Sequence, residues 1–95
     1  MIVSFGDRAT EDLYHGRKTA RLRSIPADIR SVALRKLDML NAAISLADLR
    51  SPGTQLEALK EDLEGFIGIR INQQWRIIFR WIPPNAFDVQ ITDYH

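Results

Sequence analysis

Apolar residues recur every three or four positions between residues 25 and 44, which is the spacing of an amphipathic α-helix. The expected core-facing stripe consists of Ile29, Val32, Ala33, Leu37, Leu40 and Ile44. Ser24 and Pro26 belong to residue types that favour the first positions of a helix. We therefore expect a helix over residues 25–44 that packs one face against the core.

A shorter helix is expected nearer the start of the chain. Residues 2–5 are mainly β-branched or aromatic, which favours an edge strand. Asp7 follows as a suitable N-cap, because its side chain can accept a hydrogen bond from the first helical turn. Gly16 supplies a left-handed residue for the helix end, and we interpret His15 beside it as structural.

The second half of the chain alternates between apolar and polar residues over residues 66–71, 75–82 and 87–93, which predicts three strands. Residues 72–74 and 83–85 separate them as tight turns, and Ser51-Pro52-Gly53 separates this half from the helical one. One face of the middle strand should enter the core with Trp75, Ile77, Phe79 and Trp81. The predicted fold is α+β, with two N-terminal helices packed on a small antiparallel sheet of at least three strands.

Length and composition indicate an ordinary globular protein, and we expect a single domain over residues 1–95. The hydrophobic fraction is 45% and the charged fraction is 26%. There is no apolar run of transmembrane length, no signal-peptide pattern and no cysteine, which predicts a cytoplasmic protein that does not bind a membrane. With two histidines and no cysteine, zinc fingers and thiol nucleophiles are excluded, and we expect neither a metal nor another cofactor.

Positive charge is concentrated in the first half of the chain, although the formal net charge is only +1. Residues 1–50 hold nine Lys and Arg against six Asp and Glu, whereas residues 51–95 hold four against six. The excess lies in one basic segment, residues 17–36, which contains Arg17, Lys18, Arg21, Arg23, Arg30, Arg35 and Lys36. Such a segment favours a polyanionic partner, and a solvated helix face is the alternative.

The last three residues, Asp93-Tyr94-His95, bring together an acceptor, a phenol and an imidazole at the end of a predicted strand. Cleaving RNA without a metal requires a base for the 2′-OH proton, a cation for the charge on phosphorus and an acid for the leaving oxygen. Neighbouring strands carry cations within side-chain reach of the last strand, namely Arg70, Arg76 and Arg80. We therefore expect phosphate chemistry here, with Arg70 and Arg80 binding RNA.

Four fragments in the second half resemble HigB toxins of the RelE/ParE superfamily. They are Leu56-Glu57-x-Leu59-Lys60, Gly65-Phe66-x-x-Ile69-Arg70-Ile71-Asn72, Trp75-Arg76-Ile77-x-Phe79 and Asp93-Tyr94-His95. The resemblance covers nearly the whole chain and implies a type II toxin that cleaves messenger RNA on the translating ribosome without a metal. It also implies silencing by a helix-turn-helix, HigA-like antitoxin, with operator DNA contacted only through the complex.

The catalytic set implied by the resemblance is Glu57, Lys60, Arg76, Asp93, Tyr94 and His95. Lys60 and Arg76 match positions that contact or neutralise phosphate. His95 is expected to transfer protons, Asp93 to orient or assist it, and Tyr94 to stack on a base or donate a hydrogen bond.

The chain departs from the family pattern at two places. Glu57 stands where some members carry histidine, so any base there would be a carboxylate and activity should be lower. After Lys60 the family often reads Gly-Asp-Arg, whereas this chain has Glu61-Asp62-Leu63. The acids Glu61, Asp62 and Glu64 would oppose RNA unless they face away.

Two other functions fit parts of the sequence. One is a binding poison of a target such as DNA gyrase, as in ParE-type relatives, which generally lack the Asp-Tyr-His ending. The other is a regulatory subunit that mainly binds its antitoxin and has lost activity with the missing histidine.

Overall fold

The helical part of the computed structural model, which describes residues 1–51 and 54–94, begins with a capped helix. Helix α1 spans Arg8–Tyr14, and the Asp7 side chain accepts a hydrogen bond of 2.9 Å from the Thr10 backbone N–H. The helix ends at His15, and Gly16 follows with a φ of 71°. The N-cap and the glycine stop thus lie where the sequence predicts them.

Helix α2 spans Arg30–Ala42 and is shorter than predicted. A 3₁₀ turn, Ala27–Ile29, precedes it, and Ala33, Leu37 and Leu40 are fully buried. The prediction for Ile44 is wrong, because this residue is 72% exposed. The backbone turns extended at Ala43, which is itself buried and takes the last core position, so Ile44 points away from the core.

Four strands form one antiparallel sheet in the order β1-β2-β3-β4. They are β1 (Glu57–Ala58), β2 (Ile67–Arg70), β3 (Trp75–Ile82) and β4 (Asn85–Asp93). The predicted α+β class and the meander are confirmed, while β1 was missed because two residues carry no periodicity. The predicted N-terminal strand is reduced to two parallel bridges with β4, formed by Ile2 and Phe5. Of the predicted break, Pro52 and Gly53 lie outside the described residues.

The main core lies between the helices and one face of the sheet, where Ile69, Ile77, Phe79 and Val89 are buried against α2. The opposite face, called the outer face below, is partly covered by the chain between β1 and β2. There the Leu59 side chain lies over Gly68, whose missing Cβ would approach Leu59 Cδ2 to 3.3 Å. Ile78 and Arg76 are also buried on this face, so this part of the outer face is shielded from solvent.

Much of the basic segment makes contacts within the fold. The buried Asp12 carboxylate accepts hydrogen bonds from Thr19 at 2.7 Å and Arg21 at 3.0 Å, with Arg17 at 3.7 Å. The Thr19 hydroxyl and these guanidiniums hold the pKa of Asp12 below its ordinary value. Arg30 donates to the backbone carbonyls of residues 22 and 25, so several cations of the segment stabilise the turns before α2. None of the helices described here is long and apolar enough to cross a membrane.

Candidate functional site

Arg76 is the central residue of the candidate site, and its side chain is only 6% exposed on the outer face of β3. Its Nη1 donates to the Asn72 carbonyl at 2.6 Å and to the Trp75 carbonyl at 3.2 Å. Its Nε donates to Glu57 Oε1 at 3.3 Å. A buried guanidinium is costly unless it is paired, so these contacts fix the cation in one position.

Tyr94 lies directly beside this cation, with its ring centroid 5.7 Å from the Arg76 guanidinium carbon. The Tyr94 backbone N–H donates to the Gln74 carbonyl at 2.7 Å. Gln74 Nε2 in turn donates to Asp93 Oδ2 at 2.9 Å. The turn between β2 and β3 therefore holds the end of β4 in place through Gln74.

An open cleft of about 510 Å³ lies beside the Tyr94 ring. Its lining residues are Lys60, Glu61, Asp62, Leu63 and Tyr94. Lys60 is exposed and precedes the short 3₁₀ turn Glu61–Leu63. Glu61 and Asp62, two of the three acids expected to repel RNA, thus line the cleft. Lys60 lines it as well and offsets part of their negative charge.

Glu61 has an unfavourable backbone conformation, with a φ of 59° in the left-handed region. This conformation costs a residue with a Cβ about 1–2 kcal/mol, whereas glycine adopts it freely. The departure from the expected glycine at Glu61 therefore strains the backbone at this position.

We expect Glu61→Gly to raise the free energy of unfolding by about 0.5–1 kcal/mol, after the extra chain entropy of glycine is subtracted. Urea unfolding followed by circular dichroism measures this change. Glu64→Gly is the matched control, because Glu64 has a φ of −57° and should lose stability. Equal destabilisation by both substitutions would contradict the strain at Glu61.

The structure separates the two arginines that the sequence assigns to RNA binding. Arg70 pairs with Arg76 across β2 and β3, and its buried Nε has no hydrogen-bond partner among the described residues. Arg80 lies four residues along β3 from Arg76, about 13 Å away at ~3.3 Å per residue. It contacts Asp88 at 3.5 Å and covers the Phe66 ring at 4.4 Å. Of these two arginines, only Arg70 therefore lies beside Arg76 in the candidate site.

The site thus brings together Glu57, Lys60, Arg70, Arg76, Asp93 and Tyr94, while His95 lies outside the described residues. Sequence reasoning missed Asn72 and Gln74, which anchor Arg76 and the end of β4. The sequence predicts a polar turn over residues 72–74, but it does not reveal which groups Asn72 and Gln74 contact, because those contacts depend on the register of the strands. Across residues 1–51 and 54–94, no group of three His, Cys, Asp or Glu side chains is placed to hold a metal ion.

Comparisons with known proteins give a consistent result. A family model described as the RelE-like toxin HigB of type II toxin-antitoxin systems matches residues 3–95. Toxin HigB-1 of Vibrio cholerae is 41% identical over 95 residues, which cover 99% of this chain and 98% of that protein. Endoribonuclease HigB of Proteus vulgaris is 28% identical over 95 residues and is covered completely, as is this chain.

The fold also matches a solved structure, the YoeB-YefM complex from Staphylococcus aureus. The TM-score is 0.60 at 18% identity, with 100% of this chain and 95% of that chain covered. At this identity the likeness concerns the fold alone.

Proposed function

The chain belongs to the HigB family of RelE-like toxins from type II toxin-antitoxin systems, and we propose that it acts as an endoribonuclease on messenger RNA in the translating ribosome. A toxin of this type has an antitoxin partner. We infer that this antitoxin is a helix-turn-helix, HigA-like protein, that operator DNA is contacted only through the complex, and that the toxin works in the cytoplasm without a metal or another cofactor.

The observation that carries the proposal is the fixed Arg76 guanidinium beside Tyr94 and the Lys60 cleft. In the proposed reaction the 2′-OH loses its proton and its oxygen attacks the adjacent phosphorus, while the bond from phosphorus to the 5′ oxygen breaks and the leaving 5′ oxygen takes up a proton. Negative charge grows on the non-bridging oxygens of the phosphate as this happens. Arg76 is held in advance of the reaction, so it can stabilise that charge without reorganising. Lys60 brings a second positive charge from the exposed rim of the cleft.

The remaining roles in the proposal concern proton transfer and base binding. We assign proton transfer to His95, which follows from the sequence, and orientation of that group to Asp93. Tyr94 lines the cleft and can receive a base by stacking, an interaction worth about 1–3 kcal/mol. Because Arg76 lies against the same ring, stacking and phosphate binding would align the nucleotide at one place.

The function is tested by mapping new 5′ ends of cellular messenger RNA after brief induction of the toxin. We expect growth arrest and new ends confined to translated frames. A matched reporter whose start codon is destroyed should lose the cuts, because no ribosome then carries it. Arrest with DNA-damage signalling and no new ends would indicate a gyrase poison, and unimpaired growth would indicate a regulatory subunit.

A further inference from the structure

Glu57 is the anionic partner of Arg76 in the folded chain, and it differs from Arg76 in its exposure. The Glu57 side chain is 44% exposed, whereas that of Arg76 is 6% exposed. Strand β1 places Glu57 opposite Gly68, and from there its carboxylate contacts Arg76 Nε at 3.3 Å. The contact therefore joins the half-exposed Glu57 side chain at the surface to the buried, fixed Arg76 cation beneath it.

Carboxylate and phosphate oxygens are interchangeable acceptors for a guanidinium, because both present paired anionic oxygens to its N–H groups. The hydrogen bonds from Arg76 Nη1 go to backbone carbonyls and hold the cation in place. The ion pair with Glu57 is made through Arg76 Nε, so Glu57 occupies this edge of the guanidinium. An RNA phosphate that binds Arg76 through Nε must take the place of the Glu57 oxygen.

Arg70 adds to the local excess of positive charge. It faces Arg76 directly across the strand pair, and like charges opposite each other are unfavourable without an anion between them. Its buried Nε has no hydrogen-bond partner within the described residues. The register thus places a second arginine beside Arg76 on the outer face, which adds to the attraction of this site for an anion.

We propose that Glu57 occupies the phosphate position on Arg76 in the free toxin, and that RNA binds only by displacing it. Glu57 therefore acts through Arg76, and it lowers the affinity of this chain for RNA phosphate. The inference rests on the proposed function in one respect, namely that Arg76 binds a phosphate of the RNA.

The displaced side chain has a second place to lie. Glu57 also lines a groove of about 580 Å³ whose other residues include Arg50, Gln55 and Leu56. Arg50 is exposed there and offers the carboxylate another cation. Because an ion pair with one partner in solvent is weak, displacement should cost about three- to tenfold in RNA affinity.

The test measures the affinity of a fluorescent 2′-O-methyl RNA oligonucleotide, which cannot be cleaved because its 2′ oxygen is blocked. Glu57→Gln should bind it about three- to tenfold more tightly than the wild type. Glu64→Gln removes the same charge from an exposed residue outside the cleft lining and should change affinity less than about twofold. Circular dichroism confirms folding, and Glu57→Ala replaces Glu57→Gln if that variant is not folded.

A second comparison separates displacement from general repulsion. In an Arg76→Gln background, removing the Glu57 charge should no longer tighten binding, because the cation that both anions share is gone. Equal tightening in both backgrounds, or none in the wild-type background, would overturn the inference while leaving Arg76 as a phosphate ligand. If Arg76→Gln itself leaves RNA affinity unchanged, the proposed role of Arg76 fails and the inference fails with it.

Discussion

Replacing Arg76 by glutamine is expected to slow RNA cleavage by about two to three orders of magnitude, the usual loss when one fixed charge-stabilising donor is removed. Two backbone carbonyls and the Tyr94 ring hold the guanidinium in place. A water molecule in the variant would not provide the same fixed positive charge. The measurement is the rate of messenger RNA cleavage on programmed ribosomes, with saturating toxin so that binding and chemistry are separated.

Arg80→Gln is the matched control for this substitution. It removes the same charge from the same face of β3, but Arg80 contacts Asp88 and Phe66 rather than the end of β4. We expect its cleavage rate to change by less than about threefold, through long-range electrostatics alone. Arg76→Lys should fall in between, because a lysine keeps the charge and loses the planar geometry.

Stability must be followed alongside the Arg76 rate. Glutamine at this position loses the hydrogen bonds that the guanidinium donates to the Asn72 and Trp75 carbonyls, and a hydrogen bond from a charged group contributes about 1.5–3 kcal/mol. The Trp75 carbonyl keeps the Ile71 backbone N–H as a donor at 2.9 Å, so the loss falls mainly on the Asn72 contact. A variant that is folded by circular dichroism and still cleaves at the wild-type rate would remove Arg76 from the mechanism. A slow, folded variant would support the electrostatic role.

The parts of the fold that the sequence predicts well are those with long, regular periodicity. Strand β3 was predicted with its observed bounds, Trp75–Ile82, because eight alternating residues between two turns allow few alternatives. The end of α2 was misplaced at Ile44, since an apolar residue in the correct phase does not reveal where the backbone leaves the helix. Strand β1 has two residues and depends entirely on its pairing with β2.

The candidate site was predictable in its residue types but not in its geometry. The alternating pattern alone makes Arg76 and Arg80 equivalent, because both are polar positions on the same face of β3, and only the resemblance to HigB toxins distinguished them. The antiparallel register separates them, since it pairs Arg76 with Thr92 near the end of β4 and Arg80 with Phe87. The contact of Arg76 with Glu57 was also hidden, because it requires the unpredicted strand β1.

We expect His95→Ala to lower the cleavage rate by about two to four orders of magnitude, the usual contribution of a general acid or base. An imidazole titrates at about pH 6.5, so the wild-type rate should change steeply around that pH, and the variant should lose this dependence. The measurement is the single-turnover rate on programmed ribosomes between about pH 5 and 8, where imidazole titration falls.

His15→Ala is the control for removing an imidazole. His15 caps α1 and packs at 5.8 Å from the Phe5 ring and 5.4 Å from the Tyr14 ring, so it should affect stability rather than cleavage. The decisive pattern is a pH dependence that is retained in His15→Ala and absent in His95→Ala. If both variants keep the wild-type rate and pH dependence, proton transfer must be reassigned. The carboxylate of Asp93 and the phenol of Tyr94 would then be the candidates to replace next, because they lie beside Gln74 and Arg76.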